Sequence, residues 1–260
     1  MAARRVVVLG ATGTMGRRVT EQLRSRGHEV TGAARSTGVD ACAGTGLRAA
    51  LEGADTVVDC LNRPALRRRP AVDFFTASAR NVAAAAREAQ VGHVVCLSIV
   101  NAGDPAVSRA VGYYAGKAAQ AAAYAASGLP VTVAATTQWF ELTRQLLDQL
   151  RIGRVAGVPR MPVQPVAAVS AARFLCDVVE AGPLDRVQLA GPQAMDMAEA
   201  CRRVAAALAP GTVVVPLPQP LPILRHGGLL PRGSVRRDDV TLEQWLQDEM
   251  ARVGSAGAGQ

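Results

Sequence analysis

The sequence predicts an α/β fold built on a doubly wound parallel sheet, and three observations carry that prediction. Short β-branched runs such as Val6-Val7-Val8-Leu9 alternate with Ala-rich stretches of helical spacing through the first 140 residues. Hydrophobic residues make up 49% of the chain but aromatics only 3%, which suits strands covered on both faces by small side chains. Gly10, Gly13 and Gly16 follow the first run at three-residue intervals and open a helix. In a strand–turn–helix setting, such a triplet turns the chain, lets backbone approach a pyrophosphate and lets the helix pack on the strand.

The elements follow in order. The first strand leads through the glycines into a helix over 17–26, where Val19 and Leu23 share a face. Gly27 ends it, and 28–33 reads as the second strand. Residues 38–46 have a weak pattern and are expected to form a short strand plus loop, followed by a brief helix over 47–51. Strands over 55–59, 93–97 and 131–135 alternate with helices over 71–90 and 108–127. Phe74 and Phe75 are expected to pack in the core, and His93, at the strand end away from the ligand crevice, is structural. Beyond residue 140 the alternation loosens. Helices are expected over 141–150, 167–181, 195–208 and 241–250, with 151–164 a loop holding short extended pieces and strands over 186–190 and 212–215. The prolines of 216–222 exclude a central strand or a helix there, and the Gly/Arg-rich 225–239 reads as mobile. The expected organisation is a Rossmann-type core over 1–137 and a small C-terminal substrate-binding region over 138–253 interleaved with late core elements (167–190). A disordered tail is expected over 254–260.

Bulk properties narrow the function. The net charge is +8, yet the arginines are dispersed apart from Arg67-Arg68-Arg69 and carry no interleaved aromatics, so a nucleic-acid partner is not expected. The five cysteines include no Cys-x-x-Cys pair, which argues against a metal site or a disulfide framework and for a reducing, cytoplasmic location. No apolar run is long enough for a membrane span, and the N-terminal one is too short for a signal peptide.

The candidate site gathers at the strand ends. Gly10, Thr12, Gly13, Thr14, Met15 and Gly16 are expected against the cofactor phosphates, where helix N–H groups face an anion. Arg35, with Ser36 beside it, stands where an acidic residue would accept from a ribose 2′-hydroxyl. An arginine there favours a 2′-phosphate, so NADP(H) is the expected cofactor. Asn62 follows the 55–59 strand and is a further cofactor candidate. Tyr113 and Lys117 lie one helical turn apart, and Ser98 ends the preceding strand. Lys117 is the only lysine in a chain otherwise using arginine. A nearby ammonium favours a phenolate and so readies a tyrosine for proton transfer.

These motifs resemble those of the atypical, NmrA-like branch of the short-chain dehydrogenase/reductases, with NAD(P)H-binding Rossmann domains. The matching pieces are Gly10-Ala-Thr-Gly-Thr-Met-Gly16, Val58-Asp-Cys-Leu-Asn62, Leu97-Ser-Ile-Val100, Gly112-Tyr-Tyr-Ala-Gly-Lys117, Ser127-Gly-Leu-Pro130 and Thr136-Thr-Gln-Trp-Phe140. The resemblance implies a Ser98–Tyr113–Lys117 catalytic set and a substrate pocket built from the region after Gln138 with the C-terminal third, including Gln138, Trp139 and Phe140. Where the family often has Gly-Asp-Leu, this chain has Gly44-Thr-Gly-Leu47.

The expected activity is NADPH-dependent reduction of a small carbonyl, enone or quinone-like substrate by a monomer or homodimer. Two alternatives use the same elements: a non-redox isomerase or cyclase of a biosynthetic pathway, and a dinucleotide-sensing regulator.

Overall fold

The computed structural model describes residues 2–64 and 67–257. The elements run β1 (Arg5–Leu9), α1 (Thr14–Ser25), β2 (Glu29–Ala33), a 3-10 turn (Arg35–Thr37), α2 (Leu47–Leu51), β3 (Thr56–Asp59), α3 (Arg68–Glu88), β4 (His93–Ile99), α4 (Pro105–Ala110), α5 (Gly112–Ala125) and β5 (Val131–Thr136). There follow α6 (Phe140–Leu150), β6 (Arg151–Ile152), β7 (Val155–Pro159), β8 (Pro162–Val163), α7 (Ala168–Ala181), β9 (Arg186–Ala190), β10 (Met195–Asp196), α8 (Met197–Leu208), β11 (Val213–Leu217), α9 (Pro222–Arg225), β12 (Arg236–Arg237) and α10 (Leu242–Gly257).

The chain forms two compact units, Met1–Thr136 with Ala171–Gln188, and Thr137–Ser170 with Leu189–Gln260. The central sheet has the order β12-β9-β5-β4-β3-β1-β2, with parallel register at β1–β2, β1–β3, β3–β4, β4–β5 and β9–β12. This is the doubly wound α/β arrangement that the alternating pattern predicts. Within the first unit, Val7, Val57, Val94 and Cys96 of the sheet pack with Val82, Ala86 and Tyr124 of the covering helices. Strand order reverses at β1, so the crevice at the carboxyl ends of β1 and β3 is the ligand position such sheets provide.

The structure corrects several expectations. The strand expected within 38–46 is a turn. Gly38, Gly44 and Gly46 all have positive φ there, and Asp40 Oδ1 accepts from the backbone N–H groups of Cys42 and Ala43. Asn81 Nδ2 donates to the carbonyls of Ala41 and Cys42, so the segment's polar groups are spent on a turn rather than a ladder. The single helix over 108–127 is two. Asp104 caps α4 by accepting from Ala106 N, and Val111 is extended, with φ −125°, before Gly112 starts α5; valine followed by glycine is a poor helix interior.

In the second unit, 151–164 contributes β6 and β7 to a three-stranded sheet with the order β11-β7-β6. Pro216 is accommodated because β11 is an edge strand, and Pro222 begins α9, where its missing N–H costs nothing. Within the segment expected to be mobile, Arg236 and Arg237 pair with Leu189 and Ala190. The closing helix continues to Gly257, so residues 254–257 extend it instead of starting a disordered tail; 258–260 lie outside the described residues.

Candidate active site

The glycine turn assigns one task to each glycine. Gly10 has φ +72°, and a Cβ on it would lie 3.0 Å from Cys60 O, so the β1 exit turns tightly against the end of β3. Gly13 caps α1 without a side chain, its N–H donating to Gly10 O at 2.9 Å, and a Cβ on it would lie 3.2 Å from that same oxygen. Gly16 has no room: a Cβ would fall 2.1 Å from Gly10 O and 2.7 Å from Gly10 C. Gly32 of β2 is also required, because a Cβ there would lie 2.9 Å from the Ala11 Cβ. The result is a bare backbone cradle at the N-terminus of a twelve-residue helix with no side-chain cap. That cradle fits a pyrophosphate: its N–H groups are unclaimed by side chains, and the helix dipole favours an anion.

Around it, Thr12 is exposed, Thr14 half-buried, and Met15 buried in the core, so Met15 offers the cradle only its backbone. Arg35 and Ser36 are exposed on the 3-10 turn that leaves β2, which Thr37 Oγ1 fastens by accepting from Ala34 N. An unburied guanidinium at this point suits a phosphate monoester. Asn62 is exposed in the segment after β3.

The β4 end and α5 carry the predicted Ser98, Tyr113 and Lys117. Ser98 is 4% exposed, and its hydroxyl has no hydrogen-bond partner among the described residues. Lys117 is 2% exposed. Its ammonium donates to Leu97 O and to Gln120 Oε1, both at 2.9 Å, and more weakly to Leu61 O at 3.4 Å. It therefore bridges the ends of β3 and β4 and binds the carbonyl of the residue before Ser98. Tyr113 is half-buried on the preceding turn of α5. Phe75 lies against both groups, edge-on to the Tyr113 ring at 5.9 Å between centroids and 4.4 Å beneath the Lys117 ammonium. Gly116 permits this contact, since a Cβ there would lie 2.6 Å from the Phe75 ring. Phe75 thus does more than fill the core: it sets the packing of the Tyr–Lys turn.

Sequence reasoning missed the partners behind Lys117. Asp59, fully buried at the end of β3, accepts from Leu61 N and Gln120 Nε2, each at 2.9 Å, and from Tyr124 Oη at 2.6 Å. Burial, with the neighbouring Asp59 charge, holds the Tyr124 phenol well above its ordinary range, so it stays a donor. Lys117, Gln120 and Tyr124 fall at helical spacings of three and four, which was the available signal.

In the second unit, Phe140 is 1% exposed and stacks on Trp245 at 5.6 Å, so it is a core residue and not a pocket wall. Gln138 is buried, and Trp139, at the N-cap of α6, is half-buried.

Among the described residues no His/Cys/Asp/Glu group is placed to hold a metal, and no helix is long and apolar enough to cross a membrane.

Residues 10–145 match the family described as NAD(P)H-binding. No curated protein sequence matches the chain. Among solved structures, the fold is similar to that of TunA, an NAD-dependent NDP-hexosamine 5,6-dehydratase of tunicamycin biosynthesis (TM-score 0.74, 15% identity, covering 97% of this chain and 98% of that one). It is also similar to a UDP-N-acetylglucosamine 4-epimerase from Bacillus cereus (0.72, 14%, 96% and 96%). A third is the dTDP-4-dehydrorhamnose reductase from Bacillus anthracis in complex with NADP (0.70, 12%, 93% and 92%). At these identities the likeness concerns the fold.

Proposed function

The chain belongs to the NAD(P)H-binding family, and from that premise we propose that it is an NADPH-dependent reductase of a small carbonyl, enone or quinone-like substrate. One observation carries the reading: the chain's only side-chain ammonium is bound to Leu97 O, next to a buried Ser98 hydroxyl that has no protein partner among the described residues, at the strand ends beside the glycine cradle. A buried hydroxyl left unbonded is costly unless a ligand or a water completes it, and at this strand end either would sit where a substrate oxygen is expected.

In this reading the cradle of Gly10, Gly13 and Gly16, with Thr12, Thr14 and the Met15 backbone, holds the pyrophosphate. Arg35 and Ser36 take the 2′-phosphate, and Asn62 lies along the cofactor. The nicotinamide supplies the hydride when bound. Lys117 holds ribose hydroxyls with the donor capacity left after Leu97 and Gln120. Ser98 Oγ–H orients the substrate oxygen, and Tyr113 Oη delivers the proton to it.

The test is a fluorescence titration with NADPH and NADH, then turnover of a carbonyl and quinone panel by the wild type and by Tyr113→Phe. The reading expects NADPH to bind at least about tenfold tighter than NADH, as one bidentate charged contact warrants. Arg35→Asp should reverse that order, and Tyr113→Phe should bind but not turn over. Product formation without NADPH consumption would favour the isomerase or cyclase alternative. Turnover unaffected by Tyr113→Phe would remove the phenol from the mechanism.

A further inference from the structure

The network behind Lys117 has a single polarity, fixed at one end by the ammonium and at the other by a carboxylate. Asp59, with hydrogen bonds arriving from Leu61 N, Gln120 Nε2 and Tyr124 Oη, is surrounded by donors and donates nothing. Gln120 must therefore turn its amide nitrogen toward Asp59, which leaves Oε1 as the face presented to Lys117. An asparagine at position 59 can turn an N–H toward Gln120 and so no longer holds the Gln120 nitrogen in place, leaving the amide oriented from the Lys117 end alone. The carboxylate also supplies negative charge near a cation that is 2% exposed.

We infer that Asp59, acting through Gln120, is a positioning residue for the Lys117 ammonium: it fixes the amide that aims Lys117 along the carbonyls of Leu97 and Leu61. The inference rests on Lys117 holding the nicotinamide ribose. The alternative is that the network only stabilises the α5–β3 packing.

The experiment compares the wild type, Asp59→Asn, and the double variant Asp59→Asn with Gln120→Glu. In the double variant the amide at position 59 donates to a carboxylate at position 120, which accepts from Lys117, so the 59–120 bond runs the other way but every donor again meets an acceptor. Affinity is measured for NADPH and for 2′,5′-ADP, which carries the adenine-side phosphates but no nicotinamide ribose. Asp59→Asn is expected to weaken NADPH about tenfold, the scale of one hydrogen bond to a charged group, while leaving 2′,5′-ADP within about twofold. The double variant should recover most of the NADPH loss.

Because Lys117 is the chain's only lysine, reductive methylation reads this one side-chain amine, with the α-amine as internal standard. Labelling should be slow in the wild type, faster in Asp59→Asn and slow again in the double variant. Where Asp59→Asn does not fold, Gln120→Met removes the relay while keeping the Asp59–Tyr124 bond and should give the same two changes. Equal loss of both ligands, an unchanged labelling rate, or no recovery in the double variant overturns the positioning role. A wild type that binds neither ligand overturns the proposed function instead, and the labelling result still decides whether Asp59 positions Lys117.

Discussion

Replacing Gly16 by alanine sets a methyl group against backbone that has nowhere to go. The added Cβ would lie 2.1 Å from Gly10 O, 2.7 Å from Gly10 C and 2.8 Å from Ala11 Cα. Ordinary contact begins more than 1 Å further out, so α1 must lift from the β1 exit by about that much or the turn must open. Overpacking against side chains typically costs about 1–3 kcal/mol, and a backbone obstacle places Gly16→Ala at or above the top of that range. At about 2–4 °C per kcal/mol for a chain of this size, the melting midpoint should fall by about 6–12 °C. Gly13→Ala is the informative partner. Its Cβ meets Gly10 O at 3.2 Å, and φ −78° is open to alanine, so the midpoint should move by no more than about 3 °C. The same methyl group nevertheless stands at the mouth of the cradle, where a pyrophosphate needs bare backbone. NADPH affinity should therefore fall at least about tenfold in Gly13→Ala with the fold intact. Thermal melts and fluorescence titration on the two variants check this. Tight NADPH binding by a folded Gly13→Ala protein would refute the assignment of the cradle, and an unchanged midpoint in Gly16→Ala would refute the packing argument.

Burial, assisted by the positive charge of Arg4, pushes the His93 imidazole down to about 4. Between pH 6.5 and 4 the unfolded chain therefore takes up a proton that the folded one refuses, so stability falls as pH falls through that window, by up to about 3 kcal/mol at its lower end. Denaturant melts at pH 7, 5.5 and 4.5 should show this slope, and His93→Gln should flatten it. Burial likewise raises the thiols of Cys176 and Cys201 to about 12 and those of Cys60 and Cys96 further, whereas Cys42 is exposed. Ellman's reagent at pH 8 should react quickly with one thiol in the native protein and with five after denaturation; a second fast thiol would contradict the burial.

Features encoded by short-range spacing were readable from the chain alone. The Gly10–Gly13–Gly16 triplet and the Tyr113–Lys117 turn are such cases, because a three-residue glycine period and a four-residue helical period are local facts. What depended on partners far along the sequence was not. Asp59 lies 61 residues from Gln120 and 65 from Tyr124, and nothing near it announces a network beyond a carboxylate closing the β-branched run Thr56-Val57-Val58. Phe140 was misplaced for the opposite reason. The family resemblance places it with Gln138 and Trp139 on the substrate side, whereas its period with Thr143 and Leu147 marks the buried face of α6. The turn at 38–46 was hidden because strand signals are weak in a segment whose outcome is set by three positive-φ glycines and by Asn81, some 40 residues away.

The solitary lysine now has a physical explanation. Arginine serves every other basic position in the chain, but a guanidinium brings five N–H donors in a rigid plane. The space around position 117 offers three acceptors, Leu97 O, Gln120 Oε1 and the more distant Leu61 O, in a pocket that leaves the side chain 2% exposed. At least two guanidinium donors would be buried without partners, at about 1–3 kcal/mol each. The planar head would also have to fit over Phe75, whose ring centroid is 4.4 Å from the present ammonium. A compact ammonium with three rotatable donors meets the same acceptors and keeps part of one donor for a ligand. Lys117→Arg should therefore retain the charge yet lose about 2–6 kcal/mol of stability in denaturant unfolding, together with NADPH affinity. An arginine variant as stable as the wild type would mean that the pocket is wetter and looser than the hydrogen bonds to Leu97 and Gln120 imply, and the positioning of Lys117 by Asp59 would lose its basis.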